Sequence, residues 1–373
     1  MKIVAAIDSF KGSMTSIEAG NAAKAGILAA HPEAQVVVKP LADGGEGTTE
    51  ALIEGLKGDR ITLTVTGPFG EPVSCCYGYL PATSTAVIEM ATAAGITLSD
   101  RRDPLAATTR GVGEIILDAI NHGCRDFIIG IGGSVTNDGG IGMLTALGIH
   151  FLDKEGKDVG EGGQALGKVA SVKLSKMDPR LKECHFQVAC DVTNPLCGKN
   201  GATYIYGPQK GVSDDMKESL DQAMAHYASI CASSLGFDHA KAPGAGAAGG
   251  LGFAFQSFLN GTLTPGIDLI LKAIGLEEEL KDADFVITGE GRLDHQTAMG
   301  KAPVGVASLA KKYGAKVIAF AGSVTKDASA CNDAGIDAFF PIVRGVCTLE
   351  EAMDPANAKA NLSACTEQVF RLL

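Results

Sequence analysis

Four short runs of this chain combine glycine with acids, hydroxyls or a basic residue. They are Asp8-Ser9-Phe10-Lys11-Gly12-Ser13, Asp43-Gly44-Gly45-Glu46-Gly47-Thr48, Gly289-Glu290-Gly291-Arg292-Leu293-Asp294 and Gly322-Ser323. Each follows a run that reads as a strand. In an open parallel sheet, ligands bind beyond the carboxyl ends of the strands, so all four fall on one rim. Glycine-flanked carboxylates hold divalent cations, which makes Asp8, Asp43 and Glu290 metal candidates. Lys11 and Arg292 are suited to anions, the guanidinium through its planar fork. Turn chemistry alone also puts Asp and Gly after strands. Four such runs on one rim favour a ligand site.

The middle of the chain has its own loops. A strand over Asp126–Ile131 runs into Gly132-Gly133-Ser134-Val135-Thr136-Asn137-Asp138-Gly139-Gly140, and a helix follows. Such a loop aims N–H groups at an anion and is helped by the helix dipole, though it also serves as a plain turn. A strand over Phe186–Cys190 ends in Asp191-Val192-Thr193-Asn194-Pro195, where Asp191 suits a base, a metal ligand or a capping turn. Two motifs fail their context. Gly244-Ala245-Gly246-Ala247-Ala248-Gly249 fits G-x-G-x-x-G, but no strand precedes it, so it is weak evidence for NAD. It still opens a helix suited to cradling phosphates. Gly162–Lys168 fits G-x-x-x-x-G-K, but Val169 stands where a phosphate loop needs Ser or Thr.

The elements that position these runs follow from periodicity and punctuation. Strands are expected at Lys2–Ile7, Ala34–Lys39, Asp284–Thr288, Lys316–Ala321 and Ala338–Val343. Helices are expected from Ser13 or Thr15 to Ala30, and over Glu46–Leu56, Pro303–Tyr313 and Ala356–Leu372. Thr15 and Glu18 have capping-box spacing. This alternation at both chain ends means parallel strands with crossover helices. Between them, Ile61–Thr66, Val73–Tyr79 and Ala86–Met90 are strands separated only by turn residues, so they read as antiparallel hairpins. Further helices are expected at Gly111–Asn121, Asp214–Ser233 and Ala247–Asn260. The simplest account is an α/β fold. One parallel domain uses residues 1–61 and 280–373, with a mixed α/β domain, residues 62–279, inserted in it. Two sequential domains split near residue 180 are the alternative.

Composition bounds the function. At about 150 residues per domain, 373 residues suit two domains or three. A net charge of −11 argues against nucleic acid as partner, as does the lack of any Trp. No targeting or membrane segment is evident: the charge-free stretch Ala242–Ile267 carries seven Gly and two Pro. The ten Cys include no C-x-x-C pair, which fits reduced thiols in a cytoplasm. Glycine, 48 residues, is about twice its usual share of roughly 7%, which implies many tight turns and close backbone approaches.

Taken in order, DSFKGS at 8–13, DGGEGT at 43–48, GGSVTNDGG at 132–140, DVTNPL at 191–196, GPQKG at 207–211, GAGAAGGLG at 244–252 and TGEGRLDHQT at 288–297 resemble the bacterial glycerate kinases of the first type over essentially the whole chain. The resemblance implies ATP- and Mg²⁺-dependent phosphorylation of D-glycerate. It also implies two α/β domains, one Rossmann-like, with the active site in a cleft between them. Phosphoryl transfer asks for positioning and charge neutralisation. On that reading Arg292 and Lys11, with Ser9, meet glycerate or the transferred phosphoryl. Asp191 accepts the hydroxyl proton, with Asp294 second. Asp8, Asp43 and Glu290 serve the metal. Gly132, Gly133, Ser134, Thr136, Gly249 and Gly250 contact the nucleotide phosphates. The 2-phosphate is the favoured product and the 3-phosphate the other. A non-catalytic binder of a small hydroxy acid and an NAD-dependent dehydrogenase are the rival readings.

Overall fold

The computed structural model describes residues 1–45 and 47–373. Its strands are β1 (Lys2–Ile7), β2 (Gln35–Pro40), β3 (Asp59–Thr66), β4 (Pro72–Leu80) and β5 (Thr85–Glu89). They continue as β6 (Asp126–Gly130), β7 (His150–Leu152), β8 (Ser171–Lys173), β9 (His185–Ala189) and β10 (Thr262–Thr264). The last three are β11 (Phe285–Leu293), β12 (Lys316–Val324) and β13 (Ala338–Pro341). The chain divides into two compact units. One is Met1–Asp43, Glu50–Lys57 and Ile267–Leu373; the other is Gly44–Thr49 and Gly58–Gly266.

In the first unit, both chain ends build one five-stranded sheet, ordered β13-β12-β11-β1-β2 and parallel at every pairing. This is the terminal α/β sheet that the strand–helix alternation predicts. Five of the six residues of β1 are buried, as expected for a strand covered on both faces. Ile3, Ala5, Ile7, Ile287 and Phe320 share a core with Ala23, Ile27, Leu362 and Phe370. The helix Ser16–Ala30 starts at Thr15 with the expected reciprocal cap, Thr15 Oγ1 accepting from Glu18 N–H and Glu18 accepting from Thr15 N–H. It lies so close to the helix Pro355–Phe370 that a Cβ on Gly26 would fall 2.1 Å from the Ser363 carbonyl oxygen. The expected second helix is seen over Thr48–Leu56, and Glu46, its expected first residue, lies outside the described residues.

The second unit carries a six-stranded mixed sheet, ordered β10-β9-β6-β5-β4-β3. The β3–β4 and β4–β5 pairs are antiparallel, as the turn-linked strands predict, and the rest are parallel. Its core stacks Phe127 on Phe186 at 4.8 Å between ring centres.

Three expectations need correction. β11 and β12 do not stop at Thr288 and Ala321; the parallel ladder continues through Arg292↔Ser323 and Leu293↔Val324. Glycine and charge hid that extension, because the ladder needs only backbone. The single helix over Ala247–Asn260 is broken into a short 3₁₀ turn, Ala247–Gly249, and a helix, Leu251–Phe258. Ala248, Gly249 and Gly250 between them have φ of 52°, 69° and 98°, which no right-handed helix accommodates. The short strands β7, β8 and β10 carry too few residues to show a period.

Candidate active site

Most of the rim residues meet in one cavity of the first unit, of about 670 Å³. Asp8, Ser9 and Lys11 come from the turn after β1, and Asp43 from the segment after β2. Glu290 and Arg292 come from the end of β11, Asp294 follows it, and Ser323 lies on β12. The turn after β1 is closed by Phe10 N–H bonding the Met14 carbonyl at 3.0 Å, with Gly12 at φ 77° making the reversal. Because β11 remains paired to β12, Glu290 and Arg292 project from a held ladder rather than a loop.

The acids crowd one another. Burial first, then Asp43 and Glu290, push the Asp8 carboxyl up to about 7, although the Ser9 N–H at 2.7 Å and Lys11 favour its ionised form. Burial also raises Glu290, with Asp294 and Asp43 adding to it, while Thr297 and Lys301 oppose. Thr297 Oγ1 donates to Glu290 Oε1 at 2.6 Å and accepts from Asp294 N–H at 3.2 Å, so one buried hydroxyl orders both acids. Asp294 Oδ1 caps the short helix His295–Ala298, accepting from Gln296 N–H at 2.9 Å and Thr297 N–H at 3.2 Å. Its Oδ2 stands 3.6 Å from Arg292 Nε, and the Arg292 side chain is 66% exposed. The guanidinium is therefore open to a ligand while loosely steered by Asp294.

The sequence reading missed Lys301, which lines the same cavity. It sits at the N-cap of the helix Ala302–Lys311, where a cation opposes the helix dipole. From there its charge favours the ionised form of Glu290.

The remaining candidates belong to the second unit. Gly130 and Ala189 are partners on the parallel strands β6 and β9, so Gly132 and Asp191 each stand two residues beyond neighbouring strand ends. Asp191 is exposed, and its Oδ1 accepts from Gly266 N–H at 2.9 Å. Gly132 and Gly133 are exposed, whereas Ser134 and Thr136 are buried. Lys210, from GPQKG, explains that burial: its Nζ donates to Ser134 Oγ at 2.6 Å and to the Thr136 carbonyl at 2.7 Å. Burial drags this lysine down to about 7 against the pull of Asp138. Asp138 in turn accepts from Thr109 N–H and Oγ1 and from Gly140 and Gly142 N–H. Gly249 and Gly250 press on the same loop: Gly139 N–H bonds the Gly249 carbonyl at 2.9 Å, and a Cβ on Gly250 would meet Gly139 Cα at 2.6 Å. No strand leads into Gly244–Gly249, which removes the dinucleotide reading of that stretch.

This combination of an acid cluster, exposed cations and a braced glycine loop suits phosphoryl transfer, and the comparisons agree. The glycerate kinase family profile matches residues 3–373. The chain belongs to the glycerate kinase family. It is 48% identical over 358 residues to the glycerate kinase of Bacillus subtilis strain 168, covering 95% of this chain and 94% of that one. It is likewise 48% identical over 354 residues to the glycerate 2-kinase of Escherichia coli K12, covering 94% and 93%. A crystal structure from Salmonella typhimurium LT2, assigned to glycerate kinase 2, superposes with a TM-score of 0.91 at 45% identity, covering 99% and 97%. The chain is accordingly a kinase that phosphorylates glycerate.

Proposed function

We propose that the charged groups lining the first unit's cavity are where the phosphoryl group moves from ATP to the 2-hydroxyl of D-glycerate. The observation that carries this is the meeting of Asp8, Lys11, Asp43, Glu290, Arg292 and Lys301 around one cavity. Arg292 grips the glycerate carboxylate through its fork, and Lys11 neutralises the transferring phosphoryl. Ser9 and Ser13 add hydroxyls. Ser13 Oγ lines the cavity, is buried and bonds no other atom among the described residues, so a ligand oxygen is its natural partner.

The acid cluster fits Mg²⁺. Asp8 and Glu290 gain from a cation, because burial and neighbouring carboxylates, Asp43 among them, disfavour the ionised form of both. No group of three or more such side chains is arranged to enclose a metal among the described residues. Mg²⁺ needs only one or two carboxylates, with water and phosphate completing its shell. When bound, it would supply charge neutralisation at the phosphates.

For the hydroxyl proton, Asp191 ranks ahead of Asp294. Each has one oxygen bonded to backbone N–H, but Asp294 Oδ2 faces Arg292 Nε at 3.6 Å, whereas Asp191 Oδ2 has no hydrogen bond or ion pair among the described residues. Gly132 and Gly133 are the glycines proposed to meet phosphate directly. Ser134, Thr136, Gly249 and Gly250 shape their loop. No described helix is long and apolar enough to cross a membrane, and the ten cysteines are all free, so we place the enzyme in the cytoplasm. The test is ³¹P NMR of the product formed from D-glycerate and Mg-ATP. A 2-phosphate resonance is expected; a 3-phosphate resonance overturns the regiochemistry, and no product overturns the reading.

A further inference from the structure

The chemistry above uses only the charged and hydroxyl groups that line the cavity. The rest of its lining is apolar: Phe10, Ile342, Val343, Leu349, Ala352 and Met353. Glycerate is a small polar acid with no apolar face to lay on such a wall. A cavity of about 670 Å³ is of the size that takes ligands much larger than a three-carbon acid.

Two of these side chains are unusual for their exposure. Leu349 is 76% exposed and Met353 38%. They do not hang from a loose end. Both lie on the short helix Leu349–Met353, which is started by a reciprocal cap between Thr348 and Glu351. A held pair of open apolar side chains beside a cationic cluster is a surface waiting for a ligand that is apolar at one end and anionic at the other. The apolar and cationic groups adjoin: a Cβ on Gly12, next to Lys11, would lie 3.0 Å from Met353 Cε.

We propose that this apolar lining seats the adenosine of ATP, with the polyphosphate running toward Lys11 and Lys301 and Arg292 left to glycerate. The proposal rests on the charged-group reading above and adds where the base sits. A purine is flat and largely apolar on its faces, which matches a wall of aliphatic side chains and one Phe, and the triphosphate matches the two lysines in charge.

Cys347 lines the same cavity, two residues before Leu349, and is exposed, while the other nine cysteines are buried or half-buried. It serves as a reporter in the wild-type chain. Maleimide alkylation of Cys347, followed by peptide mass spectrometry, should slow at least fivefold under saturating Mg-ADP. Tripolyphosphate, at a concentration that competes with ATP in the kinase assay, should leave the rate unchanged. Protection by both, or by neither, overturns the proposal. As a second measurement, Ala352→Trp fills the seat from a half-exposed position. It should raise the KM for ATP at least tenfold while the inhibition constant of tripolyphosphate stays within twofold. An equal loss for both ligands, or no loss for either, overturns the seat. If Arg292→Lys moves neither substrate's KM while Mg-ADP still protects Cys347, the charged-group reading falls and the adenosine seat stands.

Discussion

Lys210 Nζ lies 2.6 Å from Ser134 Oγ and 2.7 Å from the Thr136 carbonyl, sealed from solvent beneath the glycine loop. Its pKa is pulled from 10.5 to about 7, chiefly by burial. The unfolded chain therefore keeps this proton up to about pH 10, while the folded chain sheds it from about pH 7. Stability from this group rises with pH across that window. Lys210→Met removes the titration and leaves Ser134 Oγ and the Thr136 carbonyl without their donor, at a cost of about 1–3 kcal/mol. Urea unfolding should show the wild type gaining on the variant between pH 6 and pH 9. A gap that narrows with rising pH would refute this account of Lys210.

Asp8 titrates with the opposite consequence. Its carboxyl is raised from 3.8 to about 7, so the folded chain holds a proton that the unfolded chain loses from about pH 4. Stability from this group falls between pH 4 and pH 7 and is level above. Asp8→Asn should flatten that segment and stabilise the metal-free protein at pH 8 by about 1–4 kcal/mol, with little change at pH 4. Thermal melts at the two pH values check it. If Asp8 serves Mg²⁺, the concentration needed for half-maximal rate in the wild type should climb as pH drops below 7, because a protonated carboxyl is a poor ligand; a flat dependence would remove Asp8 from that role.

Arg292→Lys separates charge from geometry. Lysine keeps the cation and loses the planar fork. The KM for glycerate should rise on the order of tenfold or more, corresponding to about 1.5–3 kcal/mol for hydrogen bonds to a charged group. The KM for ATP should hardly move. A rise in the ATP value instead would assign the fork to phosphate.

Asp191→Asn is a clean probe because the amide oxygen can still accept from Gly266 N–H, as Asp191 Oδ1 does at 2.9 Å. If Asp191 takes the hydroxyl proton, kcat should drop roughly 10²–10⁴-fold with the KM for ATP little changed. Near-normal turnover would remove Asp191 from that role.

Asp8, Lys11, Asp43, Glu290 and Arg292 are legible as neighbours in the sequence because each terminates or follows a strand of one parallel sheet, and topology alone gathers strand ends. The local signals also held where they were self-contained, as at the Thr15–Glu18 cap. What escaped depends on tertiary packing. Lys210 is buried by the loop it braces, and nothing in GPQKG announces burial. The apolar wall at 342–353 comes from a turn and a five-residue helix, too short for a periodic pattern. The Gly289–Arg292 stretch stays in the ladder with β12, although its composition reads as loop.

β1 lies between β2 and β11, so its sheet draws on residues near both ends of the chain. On a ribosome this imposes a wait. After Pro40 emerges, about 245 more residues must be made before β11 begins at Phe285. At 5–20 residues per second that interval is roughly 10–50 s. During it β1 and β2 present an apolar, half-paired edge, which makes the nascent amino terminus a client for chaperones and a place where slowed translation would favour misassembly. The intervening unit, whose strands are contiguous in the chain, has everything it needs to fold first.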